Sequence, residues 1–524
     1  MNPRFLLFAF SILLLSARLY ASKLLGFGDS EALYASYALH PAPAFLDHPG
    51  LVGIFARTIG NGQAPTPATA HFVTALMATL FPWLVYIAAR TTGASRDGAY
   101  AGALAVAVTP EIAVGLFAMT PDLLLALAWI FTLGLAARAV TEKPSSAIAA
   151  ASFIAAGLVA GVGATAKVSG LLLLLALAWT YASKSARAHA KTPWPWAGLA
   201  IGCIAFAPVV LFEARAPSPP GAWPMLRHRF IDTQAGSGSW LGHIGAVVGG
   251  QLIYLSPLLA VVAVVVLLDL IRHRNDDAIA ALLFRTTALP LVVLIPLCLW
   301  SKASEPHWLA PPLLALALHF ARRYEAAEDE VPSTAKSGKV VKAGPSWLHR
   351  FRRAPRWATG TIGLAVAITA AAHAWVLLPG FNHLLLPAGQ KMSDPKYDIS
   401  NELYGWDNAI IAVRGIVNEE SARGEIVVVG PHWVICAQLH AALGPGVRVG
   451  CATPIRDDFD TWEPRTRWQH ADKVLFVTDN RFDVPSQTIL PDFAVAGHSR
   501  VTVLRDRRIA RTFVLSLLES RARS

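Results

Sequence analysis

Apolar runs long enough to cross about 30 Å of hydrocarbon recur over the first three quarters of the chain. They fall at residues 5–25, 68–89, 98–118, 121–140, 146–166, 168–183, 195–212, 244–270, 278–300, 308–321 and 357–378. This pattern predicts about eleven membrane helices. The first run is interrupted by Arg18 and Lys23. With Arg4 ahead of it and small residues near Ala21, it also has the outline of a cleaved signal segment, but the continuing apolar runs favour a first span. The run 308–321 is short and must stand upright or thin the bilayer.

Beyond residue 380 the pattern changes. Gly424–Gly430, Val447–Ala452 and Lys473–Asp479 read as strands, and His432–Leu443 as a helix. Residues 493–519 are expected to add a hairpin and a final helix. Strands separated by helical patterns predict a small α/β domain with some parallel pairing. The expected fold is therefore a polytopic α-helical membrane domain, residues 1–379, followed by a soluble α/β domain, residues 380–524.

Loop charge sets the orientation. With the N-terminus inside, the inner loops collect Arg90, Arg96, Arg138, Lys143, Lys184, Arg187, Lys191, Arg272 and Arg274. They also collect the basic cytoplasmic loop 322–356, which reads as a lipid-anchoring segment. The first external loop, 26–67, and the C-terminal domain then lie outside, in the periplasm of a bacterial inner membrane.

Composition fits this reading. The chain has 524 residues, 54% hydrophobic and 15% charged, with a mean hydropathy of +0.46. Soluble proteins carry about a quarter charged residues. A net charge of +11 would suggest nucleic acid in a soluble protein; here it reflects the inner loops, and no nucleic-acid partner is expected. Cys203 and Cys298 fall in spans. Cys436 and Cys451 fall in the outer domain, where their spacing allows either a disulfide or two thiols. The sequence has no CxxC or zinc spacing, and its C-terminal domain has no Walker or Rossmann phosphate loop.

The chosen topology gathers the polar motifs on one face. Asp29, Glu31, Asp47 and His48 lie in the first external loop. Thr120-Pro121-Asp122, the turn at Lys167, Arg227-His228-Arg229, Lys302 and Glu305-Pro306-His307-Trp308 also fall outside. Carboxylates are too costly in lipid to sit at a membrane edge without a role, so this face is the expected active site.

In order along the chain, these motifs resemble those of membrane glycosyltransferases that use polyprenyl-phosphate sugars. These are the protein O-mannosyltransferase-like enzymes (glycosyltransferase family 39) and the aminoarabinose transferases of lipid A, in the GT-C superfamily. The matching elements are Asp29-Ser30-Glu31-Ala32-Leu33-Tyr34, Asp47-His48-Pro49-Gly50, Thr120-Pro121-Asp122, Ala166-Lys167-Val168-Ser169 and Pro306-His307-Trp308. Gly405-Trp406-Asp407 is a sixth, in the outer domain. Ser30 separates the two acids, Gly50 stands where the family has a second proline, and no aromatic follows Lys167.

The resemblance implies transfer of a hexose or pentose from a polyprenyl-phosphate carrier, undecaprenyl-phosphate-like, to a lipid, glycan or protein acceptor. Such a reaction needs a base for the nucleophile and cations for the departing phosphate. Asp29 is the expected general base for an acceptor hydroxyl whose attack inverts the anomeric carbon; Glu31 is the alternative, and the pair could instead cap a loop helix. Asp122 is expected to hold the acceptor or orient a loop residue, and Asp47 and His48 to bind the sugar or support the base. Lys167, then Arg227 with Arg229, then Lys302 with Glu305, His307 and Trp308, are the candidates for holding the donor and its phosphate. Membrane lipids are the surrounding partner. No organic cofactor is implied; a divalent cation on Asp29, Glu31 and Asp47 is compatible with their oxygen ligands. The rivals are a secondary transporter, which would show repeated halves with midplane ions, and an oligosaccharide ligase or polymerase using diphosphate donors.

Overall fold

A computed structural model of the chain describes residues 2–216, 223–232, 240–301, 305–326, 355–378 and 398–521. Lys302, nearly all of the basic loop 322–356 and the expected domain boundary at 380 lie outside the described residues.

Among the described residues, seven helices are long and apolar enough to cross a membrane. They are Pro3–Leu24, Pro67–Thr91, Pro121–Thr141, Ala147–Ala164, Trp194–Ala214, Ala278–Trp300 and Arg356–Leu377. Several open on proline, whose fixed φ and missing N–H suit the first helical position. Three further expected spans are broken. Residues 98–118 form Arg96–Ala107 and Pro110–Phe117, bent by 73°. Residues 168–183 bend by 72° into Lys184–Ala190, and residues 244–270 form two helices, Leu241–Tyr254 and Pro257–His273, at 100°. The count is thus up to ten if each bent pair is one crossing. The expected short span 308–321 is the 17-residue helix Ala310–Ala326. Pro110 and Pro257 account for two of the breaks, because proline supplies no N–H to the ladder. Ser256, ahead of Pro257, sits at φ +70°.

The first helix belongs to the bundle. Arg18, 1% exposed, donates to the carbonyls of Ile112 and Ala113 at 3.0 and 2.9 Å and to Thr79 Oγ1 at 2.9 Å. Those carbonyls belong to the short helix Pro110–Val114. The arginine that interrupts the apolar run therefore pins the broken span. Helices Ala147–Ala164 and Trp194–Ala214 cross where two glycine pairs meet. A Cβ on Gly157 would lie 1.9 Å from the Gly198 carbonyl oxygen, and one on Gly161 2.2 Å from that of Gly202. Only glycine permits this backbone approach, the usual basis of close helix contact in lipid.

The C-terminal region holds a five-stranded sheet of β1 (Ile426–Gly430), β2 (Val449–Cys451), β3 (Lys473–Asp479), β4 (Phe493–Arg505) and β5 (Arg508–Ser520). The order is β2-β1-β3-β5-β4, parallel from β2 to β3 and antiparallel beyond. The final helix expected within 493–519 is strand β5. Asp506 and Arg507, both at positive φ, form the two-residue turn that the twist of a hairpin favours. Alternate residues of β1 and β3 feed opposite cores: Val428 and Leu475 on one face, Val427, Val429, Val474 and Phe476 on the other. Cys436 and Cys451 are buried free thiols; burial and the neighbouring Cys451 push the Cys436 thiol well up.

The segment 26–67 carries two helices, Asp29–Tyr37 and Leu51–Ile59. The sheet domain docks on the first of them. Ser36 Oγ donates to the Ala437 carbonyl at 3.1 Å, Gln438 Nε2 to that of Phe27 at 2.8 Å, and the Gly26 N–H to that of Leu403 at 2.9 Å. Ala32, Leu33 and Tyr34 share one apolar core with Val434, Ile435 and Val428.

The glycine crossing yields a prediction. Gly161→Leu should lower the stability of the detergent-solubilised protein by about 1–3 kcal/mol, the usual cost of overpacking. Gly245→Ala, where a Cβ meets nothing within 4 Å, should not. Thermal unfolding of both variants checks this; equal melting would show that the crossing tolerates a side chain.

Candidate active site

The expected residues fall into two groups. The first lies where helix starts and turns meet at one end of the bundle. Asp122 is the second residue of helix Pro121–Thr141, and Lys167 precedes the 3-10 turn Val168–Gly170. His307 and Trp308 lie in the 3-10 turn Pro306–Leu309, and Arg229 in helix Pro224–Phe230. Lys167 Nζ donates to Asp122 Oδ1 at 2.7 Å. His307 Nε2 lies 3.5 Å from Asp122 Oδ2, and its Nδ1 lies 3.0 Å from Glu305 Oε2. Burial and the Lys167 cation oppose the imidazolium, but these two carboxylates outweigh them and raise His307 to about 9. The hydrogen bond from His307 in turn lowers Glu305. Lys167 Nζ and the Arg229 guanidinium both lie over the Trp308 ring, at 5.4 and 5.2 Å from its centroid. Arg229 Nη1 is 3.4 Å from Asp47 Oδ1, and His228 Nε2 is 3.8 Å from the same atom. His48 is buried. Burial, then Arg229 and Lys167, hold it well below its ordinary range, so it is neutral. Arg227 is exposed and pairs with Asp232 at 3.5 Å.

The second group surrounds the start of helix Asp29–Tyr37. Glu31 is buried and fully engaged. Its Oε2 accepts the Gly28 N–H at 2.9 Å; its Oε1 accepts the Met119 N–H at 2.7 Å and His71 Nε2 at 3.0 Å. Burial would raise this carboxyl, but His71 and the two N–H groups hold it below its ordinary value. Asp29 instead meets Arg481, on the turn after β3, through Oδ2. Arg481 also reaches Glu402 Oε2 at 3.4 Å. Burial and the neighbouring Asp29 push Glu402 up to about 7. Gly405-Trp406-Asp407 supports this corner: Gly405 takes φ +85°, and Trp406 Nε1 donates to the Glu402 carbonyl at 3.2 Å.

A cavity of about 460 Å³ lies beside both groups, walled by Leu33, Asp47, His228, Arg229, His432 and Asp458 among others. Burial and Asp47 raise Asp458 to about 8. The three carboxylates considered for a divalent cation do not converge, because each is tied to a different partner: Asp29 to Arg481, Glu31 to His71 and backbone N–H groups, Asp47 to Arg229. Among the described residues, no three His, Cys, Asp or Glu side chains are grouped to hold a metal ion.

Sequence reasoning missed His71, Arg481, Glu402 and Asp458. His71 had a signal, as a lone histidine at the head of an apolar span. Arg481 had one too, since residues just past the carboxyl end of a parallel strand commonly serve sites.

Residues 52–212 match the family model of dolichyl-phosphate-mannose-protein mannosyltransferases. The fold matches the crystal structure of ArnT from Cupriavidus metallidurans bound to undecaprenyl phosphate, at TM-score 0.55 and 16% identity, covering 97% of each chain. The apo structure of the same protein matches at TM-score 0.56 and 15% identity, covering 96% of this chain and 97% of that one. The family match thus covers residues 52–212, and the whole chain shares the fold of ArnT. No curated protein matches its sequence. The shared fold is that of a multi-span helical membrane protein with a C-terminal sheet domain.

The Asp122–His307–Glu305 chain sets a pH dependence. A histidine raised from about 6.5 to about 9 adds stability that is complete below pH 6.5 and lost as pH rises through 9. The full effect is on the order of 3 kcal/mol. The melting midpoint of the wild type should therefore fall between pH 7 and pH 10, and His307→Gln should flatten that fall. A wild-type midpoint constant over this range would contradict the assignment.

Proposed function

We propose that this protein is a glycosyltransferase that moves a sugar, with inversion, from an undecaprenyl-phosphate-like carrier to a lipid, glycan or protein acceptor at the outer face of a bacterial inner membrane. The observation that carries this reading is the convergence of Lys167 and Arg229 over one indole, that of Trp308, at the end of the bundle. Two cations over a shared apolar platform suit a phosphate carried on a greasy tail. Asp122 holds Lys167 in place, and Asp47 does the same for Arg229. Both cations thus stand ready for the charge that develops as the carrier phosphate leaves.

An apolar cavity of about 250 Å³ lies among the helices, lined by Leu104, Glu111, Leu259, Leu313, Phe320 and Ile362 among others. Glu111, at its polar end, is within electrostatic reach of Lys167, Asp122 and His307. A channel of this character suits an isoprenoid chain whose head lies at the cations.

Asp29 is the general base. Glu31 has its oxygens occupied by three donors and acts as a staple between helices. Asp29 has Oδ2 engaged by Arg481, while its buried Oδ1 has no hydrogen-bond partner. A sheltered carboxylate oxygen without a donor is where an acceptor hydroxyl can bind and lose its proton. His48, neutral and buried next to Tyr34, supports the sugar side of the site. Residues 1–379 form the transfer domain and residues 380–524 the outer domain that covers it.

The test is turnover by protein in lipid nanodiscs. A panel of polyprenyl-phosphate sugars with envelope glycolipids and glycans as acceptors should release polyprenyl monophosphate. Turnover of diphosphate donors alone, or of none, would defeat the proposal. Two variants locate the chemistry. Asp29→Asn should cut kcat at least about 100-fold, in the range of a lost general base, with donor binding intact. Lys167→Met should weaken donor binding at least about tenfold, as expected for a lost charge-assisted contact.

A further inference from the structure

We infer that Arg481, from the C-terminal domain, is a positioning residue for the reaction: it holds one oxygen of Asp29 and leaves the other turned toward the acceptor. This inference rests on the proposed role of Asp29 as base. The two residues lie 452 positions apart in the chain, and among the described residues no membrane-domain side chain pairs with Asp29.

Arg481 is itself held. Asp479 Oδ1 accepts the N–H groups of both Arg481 and Phe482, at 3.0 and 2.9 Å, which closes the turn after β3. Asp479 Oδ2 lies 3.2 Å from Arg511 Nε, with both side chains fully buried. The ring of Phe482 packs 4.8 Å from the Arg481 guanidinium carbon and stacks on His432 at 3.9 Å between centroids. His432 is a wall of the 460 Å³ cavity. Leu33, one helical turn after Asp29 on the same face, is another wall. Arg481 and Asp29 thus each adjoin a residue that walls the cavity, and the turn that carries the arginine is closed by Asp479.

The charged groups around Asp29 come from three elements. Arg481 and Asp479 come from the end of β3, Arg511 from β5 and Glu402 from the turn Ile399–Leu403; Glu31 on its own helix is hydrogen-bonded to His71. Arg481 is the cation in direct contact with Asp29, and it also engages Glu402. Its removal leaves two acids facing each other. Without Arg481 nothing in that corner fixes which oxygen of Asp29 faces the acceptor, so the base loses its alignment.

The experiment compares wild type, Arg481→Gln, Arg481→Lys and Asp29→Asn as full chains in nanodiscs. The readouts are kcat and donor KM, using a polyprenyl-phosphate sugar that the wild type turns over. Arg481→Gln should lower kcat at least about tenfold, as expected for a misaligned catalytic group, and leave donor KM within twofold. Arg481→Lys, which keeps the charge but not the fork, should recover only part of kcat. If Arg481→Gln fails to fold, the Lys variant alone carries the test: a wild-type kcat in it removes the need for the guanidinium geometry. A wild-type kcat in Arg481→Gln overturns the inference. Activity in Asp29→Asn would instead overturn the base assignment, and the two failures are separately visible.

Discussion

A charge buried where protein meets lipid has to be paired, and that requirement shapes this molecule from its first helix onward. Arg18 is held by two carbonyls and a threonine, and Glu31 by a histidine and two backbone N–H groups. Lys167 lies against Asp122, and Asp269 against His319 at 2.9 Å. Each pairing joins elements far apart in sequence, so the same bonds that make burial tolerable also fix how the elements meet. Breaking a buried pair by removing one member costs about 3–5 kcal/mol, far more than the loss of an apolar contact at the rim.

This explains why the polar groups sit at helix starts and turns. Asp29 and Asp122 occupy the first turns of their helices, where the dipole favours a carboxylate. The cations that answer them come from irregular backbone: Lys167 and His307 from 3-10 turns, Arg481 from a strand end. Irregular segments at the edge of the bundle can aim a side chain inward without opening the helical ladder. The breaks at Pro110 and Pro257 follow the same logic, because each frees a short element to pack against the ordered bundle.

Much of this was legible in the chain. Hydropathy located every long helix, since span length is dictated by bilayer thickness. It could not see the bends, because a window average passes over a single proline. The motif residues Asp122, Lys167, Glu305, His307 and Trp308 read as one outer group, and they are adjacent in the fold. Asp29 and Glu31 read as one acidic pair, and they are not one. Residues two apart on a helix face different directions, so Glu31 turns into the bundle while Asp29 turns toward the sheet domain. Recognising Asp29–Tyr37 as a helix would have separated them; no local pattern could have named Arg481 as the partner. The last strand was misread because its run of Leu and Val suits either a helix or a strand, and pairing with β3 and β4 decided it.

The helix Asp29–Tyr37 is the piece on which the two groups depend jointly. Glu31 ties it to the membrane helices through Met119 and His71, and Met119 lies three residues before Asp122. Its apolar face is continuous with the core of the sheet domain through Val434 and Ile435. A shift of this helix therefore moves the proposed base and the wall of the cavity together, while Glu31 keeps it in register with the cation site. The C-terminal domain is then not a cover that could be lifted away without consequence. Without it the helix would lose its apolar support and Asp29 its cation, so the geometry of the proposed base is a property of both domains together.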